Sequence, residues 1–214
     1  MRPGADHDLA VMVEVHEAAF DGFFLTLLGP SFLHRLYRAF IHDPAGLCVV
    51  AEVEESPGRF ELVGFAVGTS KPELFFKKLF LRQGMQFALN AFPALLRHPL
   101  KVLPRLLSAV RYRGDRPRHI PEVDGAALLS SIGVHPRFAK QGIGKLLLEE
   151  FCSQATRVGA SRVYLVTDRN RNDAANTLYV RTGFDMVGTQ ERQNGRIMNT
   201  YIRRLDVGNH RDKG

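Results

Sequence analysis

The sequence has no tryptophan, only two cysteines among 214 residues, and no long apolar run free of charge. A membrane-spanning helix needs about 20 mostly apolar residues, so no span is predicted. Cys48 and Cys152 are too few for a disulfide framework or a zinc site, and we expect buried thiols in a reducing compartment. Acidic residues throughout positions 1–20 argue against a secretory signal. The sequence therefore predicts a cytoplasmic protein.

What the chain does contain is typical of one globular domain. Hydrophobic residues make up 45% and charged residues 24% of the sequence, as in ordinary folded proteins. We expect a single domain over residues 1–205 and a disordered tail over 206–214.

The positive charge is concentrated in one stretch. The net charge is +7, yet residues 71–118 hold 11 Lys and Arg against two acids, so the remainder is slightly acidic. Apolar residues recur there at helical spacing and three prolines interrupt them, which predicts a basic helical insertion over 72–118. The insertion could wall an acceptor pocket, attract an anionic acceptor, lie on an anionic membrane, or be a structural appendage with solvated charges.

Periodicity predicts alternating strands and helices around that insertion. The expected order is β-α-α-β-β, the insertion, then β-α-β-α-β-β. We expect an edge strand over 1–5, helices over 7–20, 31–43, 141–159 and 173–183, strands over 47–55, 59–70, 126–134 and 162–168, and a hairpin over 184–205. Ser31 is the expected N-cap of the second helix.

A glycine-rich turn joins strand 126–134 to the helix that follows. Gly142 and Gly144 stand where the first N–H groups of that helix have no partner and the helix dipole is positive. Glycine lets an anion lie against such a backbone, which makes the turn a candidate phosphate cradle. The spacing fits neither the mononucleotide P-loop nor the dinucleotide fingerprint. On spacing alone, an ordinary strand-to-helix turn is as good an interpretation.

A second motif follows one helix and one strand later, in "NDAANTLYVRTGF" (172–184). Together the two motifs resemble the signatures of the GNAT superfamily of N-acetyltransferases. The first signature is Val-x-Pro at the end of a strand, then Arg/Gln-x-x-Gly-x-Gly/Ala. This chain has Val134, Pro136, Gly142 and Gly144, with Ala139 at the Arg/Gln position. The second signature is matched by Asn172, Ala175, Leu178, Tyr179, Gly183 and Phe184.

The resemblance implies an α/β fold with a mixed, mostly antiparallel twisted sheet flanked by helices. The basic insertion would lie between the third and fourth strands. It implies acetyl-CoA as cofactor, with its pyrophosphate in the cradle and its pantetheine arm along the end of strand 126–134. Lys140 and Gln141 would stand in for the side chain missing at Ala139. The implied cofactor-binding residues are Ile132, Gly133, Val134, Ala139, Lys140, Gln141, Gly142, Ile143, Gly144, Lys145, Asn172, Ala175 and Tyr179.

The resemblance also implies a reaction, in which a primary amine attacks the thioester directly within a ternary complex. Tyr179 would be the general acid, because a phenol with a pKa of about 10 is protonated at neutral pH. A backbone N–H near Gly133–Val134 would meet the oxyanion. Glu122 and Asp168 are candidate general bases, each also readable as a solvated carboxylate at a strand end.

Several alternatives stay open at this stage. The acceptor could be a small amine or an amino sugar, anionic or not, and the protein a monomer or a homodimer. The chain could instead be a non-catalytic CoA-binding or regulatory module, which the alanine at position 139 favours. It could also bind an anionic surface, membrane or nucleic acid, through the insertion. Nucleic acid is the weaker option, since no nucleic-acid motif is present.

Overall fold

The computed structural model describes residues 1–20, 23–81, 126–170, 172–192 and 195–206. These residues form a seven-stranded sheet in the order β1-β2-β3-β4-β5-β7-β6. Adjacent strands are antiparallel except β4 and β5, which are parallel. This confirms the predicted mixed, mostly antiparallel fold. The strands are β1 Arg2–Pro3, β2 Gly46–Ser56, β3 Arg59–Thr69, β4 Ala126–Val134, β5 Arg162–Asp168, β6 Asp185–Glu191 and β7 Ile197–Arg204.

Helices cover both faces of the sheet, and each face has its own hydrophobic cluster. The helices are α1 Leu9–Ala19, α2 Phe24–Leu27, α3 Pro30–His42, α4 Ile143–Arg157 and α5 Asp173–Arg181, and residues 72–81 are helical as well. The first cluster packs α1, α3 and the 72–81 helix on one face. The second packs α4 and α5 on the other. The chain thus has the three-layer arrangement in which amphipathic helices bury both faces of a sheet.

Three helix starts differ from the predictions. Helix α1 begins at Leu9, two residues later than expected, because Asp6–Asp8 form a 3-10 turn. Helix α3 begins at Pro30 with Gly29 as its N-cap, so the prediction of Ser31 as N-cap is wrong. Proline suits the first helical position because the N–H that it lacks would have no partner there. Helix α4 begins at Ile143, two residues later than expected, because Gly142 is in the left-handed region with φ +81°.

The sheet opens between β4 and β5. These strands pair only over Ala126–Leu128 and Arg162–Tyr164, at their first residues. Beyond that point β5 remains paired with β7 as far as Asp168, and β4 remains paired with β3 as far as Val134. A register shift opposite Val67 and Gly68 leaves Ser130 as an extra residue in β4, and such a bulge bends a strand locally. The result is a V-shaped gap in the middle of the sheet.

Part of the predicted organisation falls outside the described residues. The insertion is helical over 72–81, where Phe75 stacks on Phe40 with ring centroids 4.4 Å apart. Residues 82–118 of the insertion, Glu122 and residues 207–214 of the tail lie outside the described residues. Both cysteines are buried and free, as expected. Within the described ranges, no helix is long and apolar enough to cross a bilayer.

Candidate active site

The loop before α4 presents backbone N–H groups to solvent. After a short 3-10 turn, Lys140 and Gly142 both have positive φ, 62° and 81°. In the described part of the chain, no backbone carbonyl accepts a hydrogen bond from the N–H groups of residues 140–144. Successive free N–H groups at a helix N-terminus form an anion-binding concavity. The structure therefore brings together the cradle that the sequence predicts.

The two glycines of this loop have different roles. A Cβ on Gly142 would meet nothing within 4 Å, so this position is open for a ligand. A Cβ on Gly144 would lie 3.1 Å from Leu178 Cδ2, so its missing side chain lets α4 pack closely against α5. The sequence argument that both glycines clear space for an anion therefore applies to Gly142, while Gly144 serves packing.

The side chains of the cradle would enclose a bound anion only slightly. Lys140 and Gln141 are exposed, and Ala139 is extended with no polar group to offer. The side chain of Lys145 is 61% exposed and lies 3.7 Å from Glu149 on the same helix, while Ile143 points into the second cluster. Any anion held here would be bound chiefly by the backbone.

A cavity of about 210 Å³ occupies the V-shaped gap between β4 and β5. Its wall combines aromatic and aliphatic side chains with hydroxyl, carboxylate, guanidinium and imidazole groups. The lining residues are His16, Phe20, Phe23, Leu25, Leu129, Ser130, Ser131, Ile132, Leu165, Val166, Thr167, Asp168, Tyr179, Arg196 and Met198. Of the predicted cofactor-binding residues, Ile132 and Tyr179 thus line the cavity. Val134 packs against the second cluster, and Gly133 is buried beside Phe20 and Phe65.

Tyr179 enters this cavity from α5. The residue is 5% exposed, and its ring centroid lies 6.0 Å from that of Phe184 and 5.5 Å from that of Tyr201. Burial, and to a smaller extent the neighbouring Tyr201, raises the pKa of the Tyr179 phenol well above its ordinary value. The phenol therefore keeps its proton at neutral pH and can act as a hydrogen-bond donor. Ala175, one turn earlier, is small and partly buried in the same cluster.

A network of asparagines holds the loop between β5 and α5. Asn172, the N-cap of α5, donates from Nδ2 to Thr167 Oγ1 at 2.7 Å. Asn176 donates to the carbonyl oxygens of Asp168 and Asn172, at 3.0 and 2.9 Å, and accepts from Tyr201 Oη at 2.9 Å. Sequence reasoning identified Asn172 and missed Asn176, although it lies one helical turn further along the same motif.

The family model described as "Acetyltransferase (GNAT) family" matches residues 105–184, the stretch that contains both the cradle and Tyr179. Residues 105–184 are thus similar to the GNAT family of acetyltransferases. Proteins of that family use acetyl-CoA, and the unpartnered N–H groups of residues 140–144 in this chain fit an anionic group such as a phosphate. No curated protein sequence matches the chain.

Solved structures share the fold at low sequence identity. One is the ribosomal-protein-S18-alanine N-acetyltransferase from Escherichia coli, with a TM-score of 0.58 and 13% identity over 100% of this chain and 97% of that one. Another is a GNAT acetyltransferase from Streptococcus pneumoniae, with a TM-score of 0.57 and 18% identity over 95% and 97%. A spermidine N-acetyltransferase chimera from Vibrio cholerae and the human enzyme gives 0.58 and 15% over 95% and 93%.

Of the two carboxylates predicted as bases, one lies within the described residues. Asp168 lies in the cavity wall at the end of β5, and its side chain is 16% exposed. Arg196 binds both of its oxygens, Nε at 2.9 Å from Oδ1 and Nη2 in close contact with Oδ2. Glu122 lies outside the described residues. Asp168 therefore positions a guanidinium at the cavity, and its role as a base stays a prediction.

A buried histidine on α1 completes the cavity wall, and sequence reasoning did not select it. His16 is 2% exposed, and its Nδ1 lies 2.5 Å from Tyr37 Oη on α3. Burial lowers the pKa of His16 to about 4. The available signal was a lone histidine on the apolar face of the first helix, a pattern that more often marks a core residue. Elsewhere in the described ranges, no group of His, Cys, Asp and Glu is arranged to hold a metal.

Proposed function

We propose that this protein is a GNAT enzyme that transfers the acetyl group of acetyl-CoA to a primary amine, by direct attack of the amine within a ternary complex. One observation carries the proposal. The gap between β4 and β5 and the Tyr179 phenol share one cavity, and the backbone cradle lies between β4, a wall of that gap, and α4. The cradle would offer donors to phosphate, the gap would offer a strand edge to an extended arm, and the phenol would offer a proton to the thiolate.

The donor would be held mainly by backbone groups. The N–H groups of residues 140–144 would bind the pyrophosphate, with Lys140 and Gln141 at the rim in place of the side chain missing at Ala139. The end of β4 over Ile132–Val134, which β5 does not cover, would pair with the pantetheine arm as an added strand would. Asn172 holds the facing loop through Thr167, and small Ala175 would leave room for the arm to pass.

Tyr179 would assist departure of the thiolate. Since burial keeps its phenol protonated, Tyr179 can donate a hydrogen bond to the sulfur and then its proton, which it regains from solvent. A backbone N–H near Gly133–Val134 would stabilise the negative charge that develops on the carbonyl oxygen. These groups favour the transition state over the ground state, which is what raises kcat.

The acceptor would approach from the α1 side of the sheet. That side of the cavity is lined by Phe20, which follows α1, by Phe23, which precedes α2, and by Leu25 in α2. Apolar walls with polar groups at one end suit a small amine or an amino sugar. Residues 71–118, with their net charge of +9, would favour an anionic acceptor or contact with an anionic membrane surface. We place the enzyme in the cytoplasm, as a monomer or homodimer.

Calorimetric titration with acetyl-CoA tests the cradle. We expect the wild type to bind in the micromolar range and Gly142→Glu to bind no measurable acetyl-CoA, since its side chain adds bulk and negative charge to the phosphate position. Gly159→Glu is the matched control. It lies at the other end of α4, has φ +83°, and like Gly142 has nothing within 4 Å of an added Cβ.

The control separates loss of the site from strain at a left-handed residue. Normal binding by Gly159→Glu together with lost binding by Gly142→Glu supports the cradle. Failure of the wild type to bind acetyl-CoA would overturn the proposal and favour a non-catalytic anion-surface binder. Normal binding by Gly142→Glu would move the donor site elsewhere on the molecule.

A further inference from the structure

His16 carries a buried nitrogen to which the described part of the fold makes no hydrogen bond. Its Nε2 is fully buried and has no hydrogen-bond partner among the described residues. Only 2% of the residue is exposed, yet it forms part of the cavity wall. An unpaired polar atom in an apolar setting costs free energy, typically about 1–3 kcal/mol. Such a cost is offset when the atom meets a ligand in the cavity.

The ring of His16 is held rigidly in this position. It packs against Phe20 with centroids 4.6 Å apart and stacks on Phe65 at 6.5 Å. Its Nδ1 is fixed at 2.5 Å from Tyr37 Oη, and Ser131 on β4 is within side-chain hydrogen-bonding reach of the same phenol. Because Nδ1 is engaged by Tyr37, Nε2 is the ring nitrogen left without a partner on a residue that lines the cavity.

Two proton arrangements fit the contact between His16 and Tyr37. In one of them, His16 Nδ1–H donates to Tyr37 Oη and Tyr37 donates to Ser131 Oγ. His16 Nε2 then bears a lone pair. Tyr37 is fully buried, and burial raises the pKa of its phenol far above the ordinary value, so it stays a neutral donor and acceptor.

We propose that His16 Nε2 is the general base of the acetyl transfer, with Tyr37 and Ser131 as positioning residues that fix its tautomer. This inference rests on the proposed function and extends it by naming the base and the side from which the acceptor enters. His16 belongs to α1 on one face of the sheet, and Tyr179 belongs to α5 on the other. Base and acid thus reach the gap from opposite faces.

The step balances without a further reactant. The amine nitrogen forms a bond to the thioester carbonyl carbon, and His16 Nε2 takes one proton from that nitrogen. The C–S bond breaks, the electron pair goes to sulfur, and Tyr179 supplies the proton that makes the thiol. His16 then releases its proton to solvent and Tyr179 regains one, so the products are an amide and a thiol.

The surroundings of His16 favour this role over a purely structural one. Burial keeps the imidazole neutral at pH 7. The nitrogen of the attacking amine becomes strongly acidic as it gains positive charge, so even a weakened imidazole can accept its proton. The titratable or charged groups around the ring are Tyr37 from α3 and, across the cavity, Tyr179, Asp168 and Arg196. Arg196 binds both oxygens of Asp168, which leaves His16 as the better placed acceptor.

The tautomer of His16 can be measured without knowing the natural acceptor. In protein labelled with ¹⁵N-histidine and saturated with acetyl-CoA at pH 7, we expect His16 to show a protonated Nδ1 and an unprotonated Nε2. The His16→Gln variant assigns the signal. Tyr37→Phe removes the acceptor of Nδ1–H, so the tautomer should shift toward Nε2–H. Detection of Nε2–H in the wild type would overturn the proposal, because that nitrogen could then only donate.

Kinetics with n-propylamine as probe acceptor test the same role independently. We expect His16→Gln to lower kcat/KM about 100-fold or more, as loss of a general base does, while its affinity for acetyl-CoA stays unchanged. His34→Gln is the matched control, because it is the same substitution at an exposed position of α3. Activity of His16→Gln near the wild-type level contradicts the inference, whereas failure of the wild type to bind acetyl-CoA contradicts the proposed function itself. If the wild type does not use propylamine, the tautomer decides.

Discussion

The Tyr179 side chain both packs in the hydrophobic core and lines the cavity. Its ring is core material, packed with Phe184 and Tyr201 in the second cluster, and the residue also lines the cavity. Removing the hydroxyl without the ring should therefore separate chemistry from folding, since the packed area is almost unchanged.

We expect Tyr179→Phe to lower kcat about 100-fold, the range for loss of a positioned acid, with unchanged acetyl-CoA affinity and an unchanged melting temperature. The contrast is Tyr201→Phe, which loses the hydrogen bond to Asn176 Oδ1. That variant should cost about 1 kcal/mol of folding free energy and retain the chemistry. Steady-state kinetics and thermal unfolding of both variants check the pair. Equal kcat for Tyr179→Phe and wild type would remove the phenol from the mechanism.

Single residues could be predicted from the sequence where a motif fixes both residue type and spacing. Gly142, Tyr179 and Asn172 belong to such motifs, and of these Tyr179 lines the cavity in the gap. His16 and Arg196 could not be selected, because each reaches the cavity from an element far away in sequence and follows no local pattern. A histidine that lines a site and a histidine that only packs in the core show the same helical spacing in the sequence. Only the packing in the structure reveals which of its nitrogens is left without a hydrogen-bond partner.

At the scale of elements, the edge strand β1 is attached by one arginine. Arg2 contacts Asp8 Oδ1 at 2.7 Å and Glu52 Oε1 at 2.6 Å, which joins β1 to the start of α1 and to β2. Asp8 is 4% exposed. Its burial opposes ionisation most strongly, but the hydrogen bonds from Arg2 and the Ala5 N–H outweigh it and lower its pKa. Asp8 is thus a buried carboxylate that depends on its partner.

We expect Arg2→Ala to destabilise the protein by about 1–3 kcal/mol, because it leaves a buried carboxylate without its cation. Arg2 is itself 32% exposed, so solvent screening keeps the effect below that of a fully buried pair. The control is Arg59→Ala, whose pair with Glu55 is exposed and should contribute little. Urea unfolding at pH 7 measures both. Equal midpoints for the two variants would mean that β1 is held by its backbone pairing alone.

Element type followed from periodicity more reliably than element boundaries. Strands 126–134 and 162–168 match the observed β4 and β5, since alternation and buried apolar runs report strand faces directly. The start of α4 was misjudged because the left-handed Gly142 ends the loop one residue before the helix begins. The gap between β4 and β5 could not be predicted from periodicity, because pairing between distant strands leaves no trace in local sequence.

For the molecule as a whole, the two faces of the sheet contribute different residues to the candidate site. The face with α4 and α5 provides the cradle and Tyr179, and the face with α1 and α3 provides His16 and the apolar wall. The residues of the two motifs therefore lie in the second half of the chain. The first half supplies His16 and the apolar wall, which belong to no recognisable motif. In the proposed function, acceptor recognition therefore depends on the half with the weaker sequence signal.

Burying a neutral histidine also couples the stability of the whole molecule to pH. Burial lowers the pKa of His16 from 6.5 to about 4, so between these values the unfolded chain binds the extra proton and the native state does not. Stability should fall as the pH drops from 6.5 towards 4, by about 2 kcal/mol at pH 4.5. The lowered pKa of Asp8 matters mainly at still lower pH, since the ordinary pKa of an aspartate is 3.8. Urea unfolding at pH 7 and pH 4.5 should therefore show a loss in the wild type and in the exposed control His34→Gln that is about 2 kcal/mol larger than in His16→Gln. The same loss in all three proteins would mean that His16 is protonated in the native state, and its burial would then have to be offset by a charged partner.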